Sequence, residues 1–481
     1  MTSALEADVV VVGAGSSGAV VASRLTENPD CSVALVEAGP DFPDEATDPP
    51  AFLVGGSAMG ENFAGAGAAT PDLDWGIWSE PVADGRRVHL HRGRLVGGSS
   101  MVNGCVAVRG APADFAEWER SGASGWDWKS VVPFYELAES VVPIRTYPRD
   151  LWTPLQGAFA DGFEELGFRF IDDLNAPAAW GGVVGPWPQN RRNEIRQGTL
   201  VTYIRRARHR PNLRIVDHSA AQAILLDGGR AAGVRVEAAG GGSFDIRARA
   251  VVVSAGAYGS PALLQRSGVG PEEILQELDV IPAAILPAGQ NLRDHPQCLF
   301  LLHSPSDVAR MCGPGYAVVA RGADFWSFPL SLDEEEGIVA IAFGLDVQEP
   351  VGRVRSKSMA AWEPPDVDHR YRDVLSSDLF ANAWEVFGRL AATRAFRSRG
   401  LGGGDPGRPL AGVLAERLAT AFHPCGTCAI GPVVDERLRV HGFENVYVAD
   451  ASVFPSHVTN NPNLTCFMVG ERAATFVAED L

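Results

Sequence analysis

Gly13-x-Gly15-x-x-Gly18, followed 19 residues later by Glu37, is a spacing that can hold a dinucleotide. Gly13 permits a tight turn, Gly15 lets the backbone approach a pyrophosphate, and Gly18 lets a helix lie close to a sheet, so that phosphates meet the unpaired N–H groups at the helix start. Glu37 suits an adenosine ribose and does not choose between NAD and FAD. A second constellation, Arg94 to Gly104, places Gly97-Gly98-Ser99-Ser100 between an arginine that could meet a phosphate and Asn103, which could meet a polar ring edge. It reads equally well as a Gly/Ser turn with a surface arginine. His423 has the side chain whose ordinary pKa lies nearest neutrality and could move a proton, although a lone histidine is more often a hydrogen-bonded structural residue. Close by, Cys425-Gly426-Thr427-Cys428 lacks the two further ligands of a zinc site, so no metal is expected and the thiols read as structural or site-lining.

The elements needed to position these groups are legible around them. The β-branched run ending at Val12 predicts a buried parallel strand, Ala19 to Thr26 a helix, and Val33 to Val36 a second strand, which together make one βαβ unit. Short β-patterns at Leu213–Val216, Ala223–Leu226 and Gly233–Val236 predict an antiparallel meander, and Ala250–Val253 another buried strand. Ser260-Pro261 predicts a helix start, with serine as cap and proline at the first position. The aromatics of residues 112–140 (Phe115, Trp118, Trp126, Trp128) read as core packing. Residues 39–70, rich in proline, glycine and alanine, read as a lid over a site or as a tolerated surface loop, and Asp333–Glu336 as a solvated turn.

The chain of 481 residues carries a net charge of −18, which argues against nucleic acid or an anionic membrane as a partner. Its first residues lack a positively charged, cleavable apolar segment, and no apolar run reaches membrane-spanning length. Seven scattered cysteines read as reduced thiols, which makes the cytoplasm the expected compartment, and the Ala-, Gly- and Arg-rich composition suits a bacterium.

Together these stretches resemble the glucose–methanol–choline (GMC) oxidoreductases, flavoproteins that oxidise alcohols. Arg94 to Gly104 is similar to the family's first signature and Gly256 to Gly270 to its second. Gly289–His295, His423–Cys428 and Val448–Asn463 resemble its later blocks, the last most like choline-oxidase-like and hydroxymethylfurfural-oxidase-like bacterial members. The resemblance implies an α/β fold: a Rossmann-like FAD-binding domain assembled from residues 1–140, 199–300 and 420–481, and an antiparallel-sheet substrate-binding domain from 141–198 and 301–419. It implies that Gly13, Gly15, Ser16, Ser17, Gly18 and Glu37 hold the ADP half of FAD. Arg94, Gly98, Asn103 and Gly104 would hold the phosphates and ring, Ala221 the adenine, Asp450 and Ala451 the ribityl chain, and Asn463 the pyrimidine end. Val102 stands where some members carry a histidine bonded to the flavin, so FAD is expected to be non-covalent.

The implied reaction is oxidation of a primary or secondary alcohol to a carbonyl, with hydride passing to flavin N5, His423 as base, and Asn461, 38 residues later, orienting the oxygen. Partners would be a small-molecule or pathway-intermediate alcohol and O2 or another electron acceptor, in a setting such as a biosynthetic tailoring step. His457, four residues before Asn461, reads as a solvated or loop histidine, and His441 as part of a turn. A hydroxynitrile-lyase-type member with a spectator flavin and a flavin redox-relay protein are the rival readings. The 301–419 segment is short for the family, which would open the site to a bulky or carrier-presented substrate.

Overall fold

The computed structural model describes residues 5–43, 71–82, 85–176, 181–310, 314–346, 351–375 and 378–481. Most of the expected lid, residues 44–70, lies outside them. Strand β1 (Leu5–Val12), helix α1 (Gly18–Leu25) and strand β2 (Val33–Val36) form the βαβ unit, with β1 and β2 parallel in the register Val9 to Val33. Val9–Val12 of β1 and all of β2 are buried on two faces, which is why their apolar runs are continuous rather than alternating. The sheet around them has seven strands, running in order through Leu213–Val216, β2, β1, Ser243–Val253, Arg230–Ala238 and Ser219–Asp227, with Val446–Val448 as a further partner of Ser243–Val253.

Two sequence expectations are corrected here. Leu213–Val216 is not part of the antiparallel meander: it pairs parallel with β2 as the sheet's outer strand. The helix announced at Ser260-Pro261 begins earlier, spanning Gly256–Arg266 with Pro261 inside it. Proline in a helix interior leaves the carbonyl four residues back without its N–H donor. Here that carbonyl belongs to Ala257, and the Thr427 hydroxyl donates to it at 2.7 Å. Ser260, rather than capping the helix, accepts from the Ala255 N–H at 3.0 Å and donates to Asp450 at 2.5 Å.

Ser243–Val253 changes partners along its length. Its first half pairs antiparallel with Arg230–Ala238, and its last residues, Val251–Val253, pair parallel with Val446–Val448 on the same side. The expected buried strand Ala250–Val253 is therefore the end of a longer strand whose first half belongs to the meander. The C-terminal helix Asn463–Asp480 closes this half by packing on α1: Ser17 Oγ donates to the Cys466 carbonyl at 2.7 Å, and Arg24 forks onto the Glu471 carboxylate at 2.7 and 2.9 Å.

A second seven-stranded sheet runs Ala419–Thr420, Pro296–His303, Ile338–Leu345, Phe325–Asp333, Val318–Arg321, Val183–Pro186 and Arg169–Phe170, and all its pairs but the last are antiparallel. The domain boundary expected at 300 falls inside its strand Pro296–His303. Side chains alternate across it. Phe325, Ile341 and Phe343 face the helices Pro154–Glu165 and Ala381–Ala391, whereas Trp326, Phe328 and Leu330 form a separate cluster with Trp187 and Tyr316 on the other face. Asp333–Glu336 is the expected exposed turn, with the Asp333 carboxylate accepting from the Glu335 and Glu336 N–H groups. The expected core aromatics Phe115, Trp118 and Trp126 are fully buried.

Candidate active site

One continuous cavity begins at the glycine turn of the first sheet and ends at the aromatic face of the second. Gly13 takes φ +95°, and a Cβ there would lie 2.4 Å from the Ser254 carbonyl oxygen. A Cβ on Gly18 would lie 1.9 Å from Gly13 O, so the close approach of helix and turn requires glycine, whereas Gly15 faces the cavity with nothing nearer than Gly98 Cα at 4.0 Å. Glu37 accepts from the Ala14 and Gly39 N–H groups at 3.0 and 2.9 Å and lines the cavity. Burial raises its carboxyl to about 7 against the opposing pull of those N–H groups.

The remaining residues proposed for FAD sort as follows. Gly13, Gly15, Ser16, Ser17, Gly98, Asn103, Gly104, Ala221, Asp450, Ala451 and Asn463 all line this cavity. Gly18 stands behind the turn, as its packing role requires. Arg94 departs from the expectation: it is not on the cavity wall, and its guanidinium donates to the Asp72 carbonyl at 2.8 Å and lies over the Trp75 ring. The arginine of this stretch that faces the cavity is Arg92, two residues earlier, which donates to Phe422 O at 2.7 Å. Asn463 accepts from Ser16 Oγ at 2.9 Å, and its buried Nδ2 has no partner among the described residues. Asn461 donates Nδ2 to Val106 O at 2.8 Å while its Oδ1 stays buried and unpaired. Two orphaned amide groups on the wall of a glycine-lined cradle fit a polar ligand of the flavin type.

His423 sits where the cradle meets the aromatic end. Its backbone N–H donates to Asp294 Oδ1 at 2.9 Å, and its Nδ1 lies 3.0 Å from Nδ1 of His295. Asp294 also accepts from the His295 N–H at 2.8 Å and from the Tyr371 hydroxyl at 3.0 Å. Burial would raise its pKa, but His369 and Thr420 hold it below the usual carboxylate range. Burial lowers His423 to about 3, opposed by Asp294 and assisted by His457 and Arg92. Burial and the neighbouring His457 and His423 likewise push His295 well below its ordinary value. Both rings are neutral, so one Nδ1 donates and the other accepts.

His457 is a loop residue as expected but not a solvated one: it is buried, its ring tilted against that of His295 with centroids 3.7 Å apart, and its Nε2 lies 2.6 Å from the His423 carbonyl. His441 is exposed in its turn, with Nε2 2.7 Å from Gly431 O. Cys425 and Cys428 are buried free thiols whose pKa values burial raises. The sequence reading also passed over the aromatic wall. Trp187, Tyr316, Trp326 and Phe328 line the far end, with Trp326 6.0 Å from the His423 ring. The alternation of Trp326 and Phe328 within one strand was the available signal.

The chain matches the GMC oxidoreductase family over residues 7–297 with its N-terminal model and over 348–470 with its C-terminal model. It belongs to the GMC oxidoreductases. Oxygen-dependent choline dehydrogenase of Vibrio vulnificus is 30% identical over 98% of this chain and 94% of that protein. That of Ectopseudomonas mendocina is 32% identical over 98% and 93%. Among solved structures, pyridoxine 4-oxidase from Mesorbium loti is 26% identical with TM-score 0.83, covering 98% of this chain and 99% of that one. Formate oxidase of Aspergillus oryzae, 21% identical with TM-score 0.86 over 100% and 99%, shares the fold. The protein is an FAD-dependent enzyme that oxidises CH–OH groups. Among the described residues no helix is long and apolar enough to cross a membrane.

Proposed function

We propose that the protein oxidises a neutral primary or secondary alcohol bearing an apolar or aromatic group, with His423 as the base and Asn461 as the group that orients the reacting oxygen. The carrying observation is the His295–His423 contact at the junction of cradle and aromatic wall. If His423 donates from Nδ1 to His295, its Nε2 keeps a lone pair and can take the hydroxyl proton. His295 then carries its own proton on Nε2, which lies 3.9 Å from Asp346. Asn461, anchored by Val106 O, presents the rest of its amide to the substrate oxygen. Bound FAD supplies the hydride acceptor.

The substrate's character follows from the walls. The acids among the described lining residues are Glu37, Glu363 and Asp450, all set with the cradle or the segment Ala361–Pro365, while the aromatic end offers rings and the neutral Gln297. No carboxylate of the described lining is placed to hold a cationic substrate among the rings. Tyr316, Trp326 and Phe328 come from the 301–419 segment, so this shortened region still builds a wall, which favours a small alcohol over a carrier-presented one. We read residues 1–140, 199–300 and 420–481 as the FAD-binding part, Val102 as leaving the flavin non-covalent, and the cytoplasm as the compartment, since all six described cysteines are unpaired. A pathway-intermediate alcohol as substrate, with the reduced flavin reoxidised by O2 or another acceptor, suits such a site.

The test is anaerobic mixing of the purified flavoprotein with a panel of aryl and alkyl alcohols, followed at the flavin band. Bleaching by alcohols with an apolar or aromatic group is expected, and His423→Ala should slow it roughly 10²–10⁴-fold while FAD stays bound. A flavin band untouched by every alcohol would favour the lyase reading, and an unchanged rate in His423→Ala would remove the base assignment.

A further inference from the structure

We propose that Asp74, His89 and His91 form a binding site for one divalent transition-metal ion of the zinc class at the rim of the cavity. The three residues come from two short antiparallel arms, tied by the Trp75 N–H to Arg92 O at 3.1 Å, the Leu90 N–H to Ile77 O at 2.8 Å and the Ser79 N–H to Val88 O at 2.9 Å. On an extended arm, residues two apart share a face. His89 and His91 therefore project together toward Asp74, while Leu90 between them is fully buried on the other side.

Two of the separations are those of ligands around an ion. Asp74 Oδ1 lies 3.1 Å from His89 Nε2, Asp74 Oδ2 lies 3.4 Å from His91 Nδ1, and the ligand atoms of all three fall within 4.8 Å of one another. Bonds of ~2.1 Å to nitrogen and oxygen place neighbouring ligands about 3.0 Å apart at right angles and about 3.4 Å apart in a tetrahedron.

The set is also preorganised. Asp74, nearly buried, accepts from the Gly76 N–H at 2.6 Å and the Arg92 N–H at 3.1 Å, which fix the carboxylate's direction. Trp78 stacks on His89 at 4.7 Å with 16° between the planes and holds that ring. His91 Nδ1 is buried 3.4 Å from the carboxylate and has no other partner among the described residues. A cation between the two would satisfy both.

Two imidazoles and one carboxylate are a zinc-type or iron(II)-type ligand set that leaves further coordination positions for water or a ligand oxygen. His91 lines the cavity and its ring lies 5.6 Å from that of Phe422, the residue before His423, so an ion here would tie the two arms together beside the site.

The experiment uses the flavoprotein, stripped of metals by chelation and desalted, then titrated with Zn2+ alone by calorimetry and with Co2+ alone by visible absorbance beyond the flavin band. One equivalent of Co2+, displaced by Zn2+, is expected. His89→Gln and His91→Gln should each weaken binding by more than about 100-fold, beyond the ~10–100-fold that follows loss of a ligand's outer partner. His218→Gln, at the exposed His218–Asp217 pair 3.7 Å apart, should leave it unchanged. Flavin absorbance reports that each variant is folded. No saturable binding, or equal binding in both histidine variants and the parent, would overturn the site and leave the cluster as a hydrogen-bonded group.

Discussion

Asp346 makes its influence felt two side chains away from the cavity. Its Oδ2 pairs with Arg321 at 2.6 Å, and its Oδ1, buried and unpaired, faces His295 Nε2 at 3.9 Å. Burial raises the carboxyl from 3.8 to about 7, with Arg321 pulling the other way. Between those values the folded protein keeps a proton that the unfolded chain releases. The stability linked to that proton is complete below about pH 4 and is lost as pH rises through about 7. Asparagine has no such proton. The melting temperature of Asp346→Asn relative to the parent should therefore climb steadily from pH 4 to pH 7 in thermal scans. A constant difference across that range would mean that the folded carboxyl is already ionised.

At the scale of elements, the helix Gly256–Arg266 and the segment holding His423 are joined by one hydroxyl. Thr427→Val keeps the shape but leaves the Ala257 carbonyl, already without its proline-blocked donor, unpaired in the interior. The expected cost is about 1–3 kcal/mol of stability, read from denaturant unfolding, with flavin content retained. A change within a few tenths of a kcal/mol would mean that the carbonyl finds another donor.

The same helix shows where sequence reading succeeds and stops. The glycine turn was legible because each glycine answers a local steric demand, and β1, α1 and β2 because burial on both strand faces leaves a continuous apolar run. Pro261 misled because its compensating donor lies in a segment remote in sequence. Arg94 and Arg92 could not be told apart by spacing, since which arginine faces the cavity depends on the pairing of the two arms at Asp74 and Gly93. The burial of His457 against His295 is not legible, because nothing near it in sequence announces that contact.

For the whole molecule, the cradle joins strands from both ends of the chain and its middle, and FAD would touch all three. Added FAD should then stabilise the apoprotein, and raise its melting temperature, with the logarithm of free FAD, by about 2.7 kcal/mol at a hundredfold excess over Kd. Acid or denaturant precipitation should leave all the flavin in the supernatant, because Val102 offers no atom for a covalent bond. Flavin that stays with the pellet would indicate attachment through another residue.

The packing of Asn463–Asp480 on α1 sets an order of events during synthesis. The first βαβ unit leaves the ribosome early, but the surface against which Ser17 and Arg24 settle is translated much later. Until then the nascent protein carries an unfinished nucleotide site and a bare helix face. Capture of the cofactor is thus expected to await Asn463–Asp480 and to coincide with closure of this half of the fold, and a ribosome stalled before that helix would hold a chain unable to retain it.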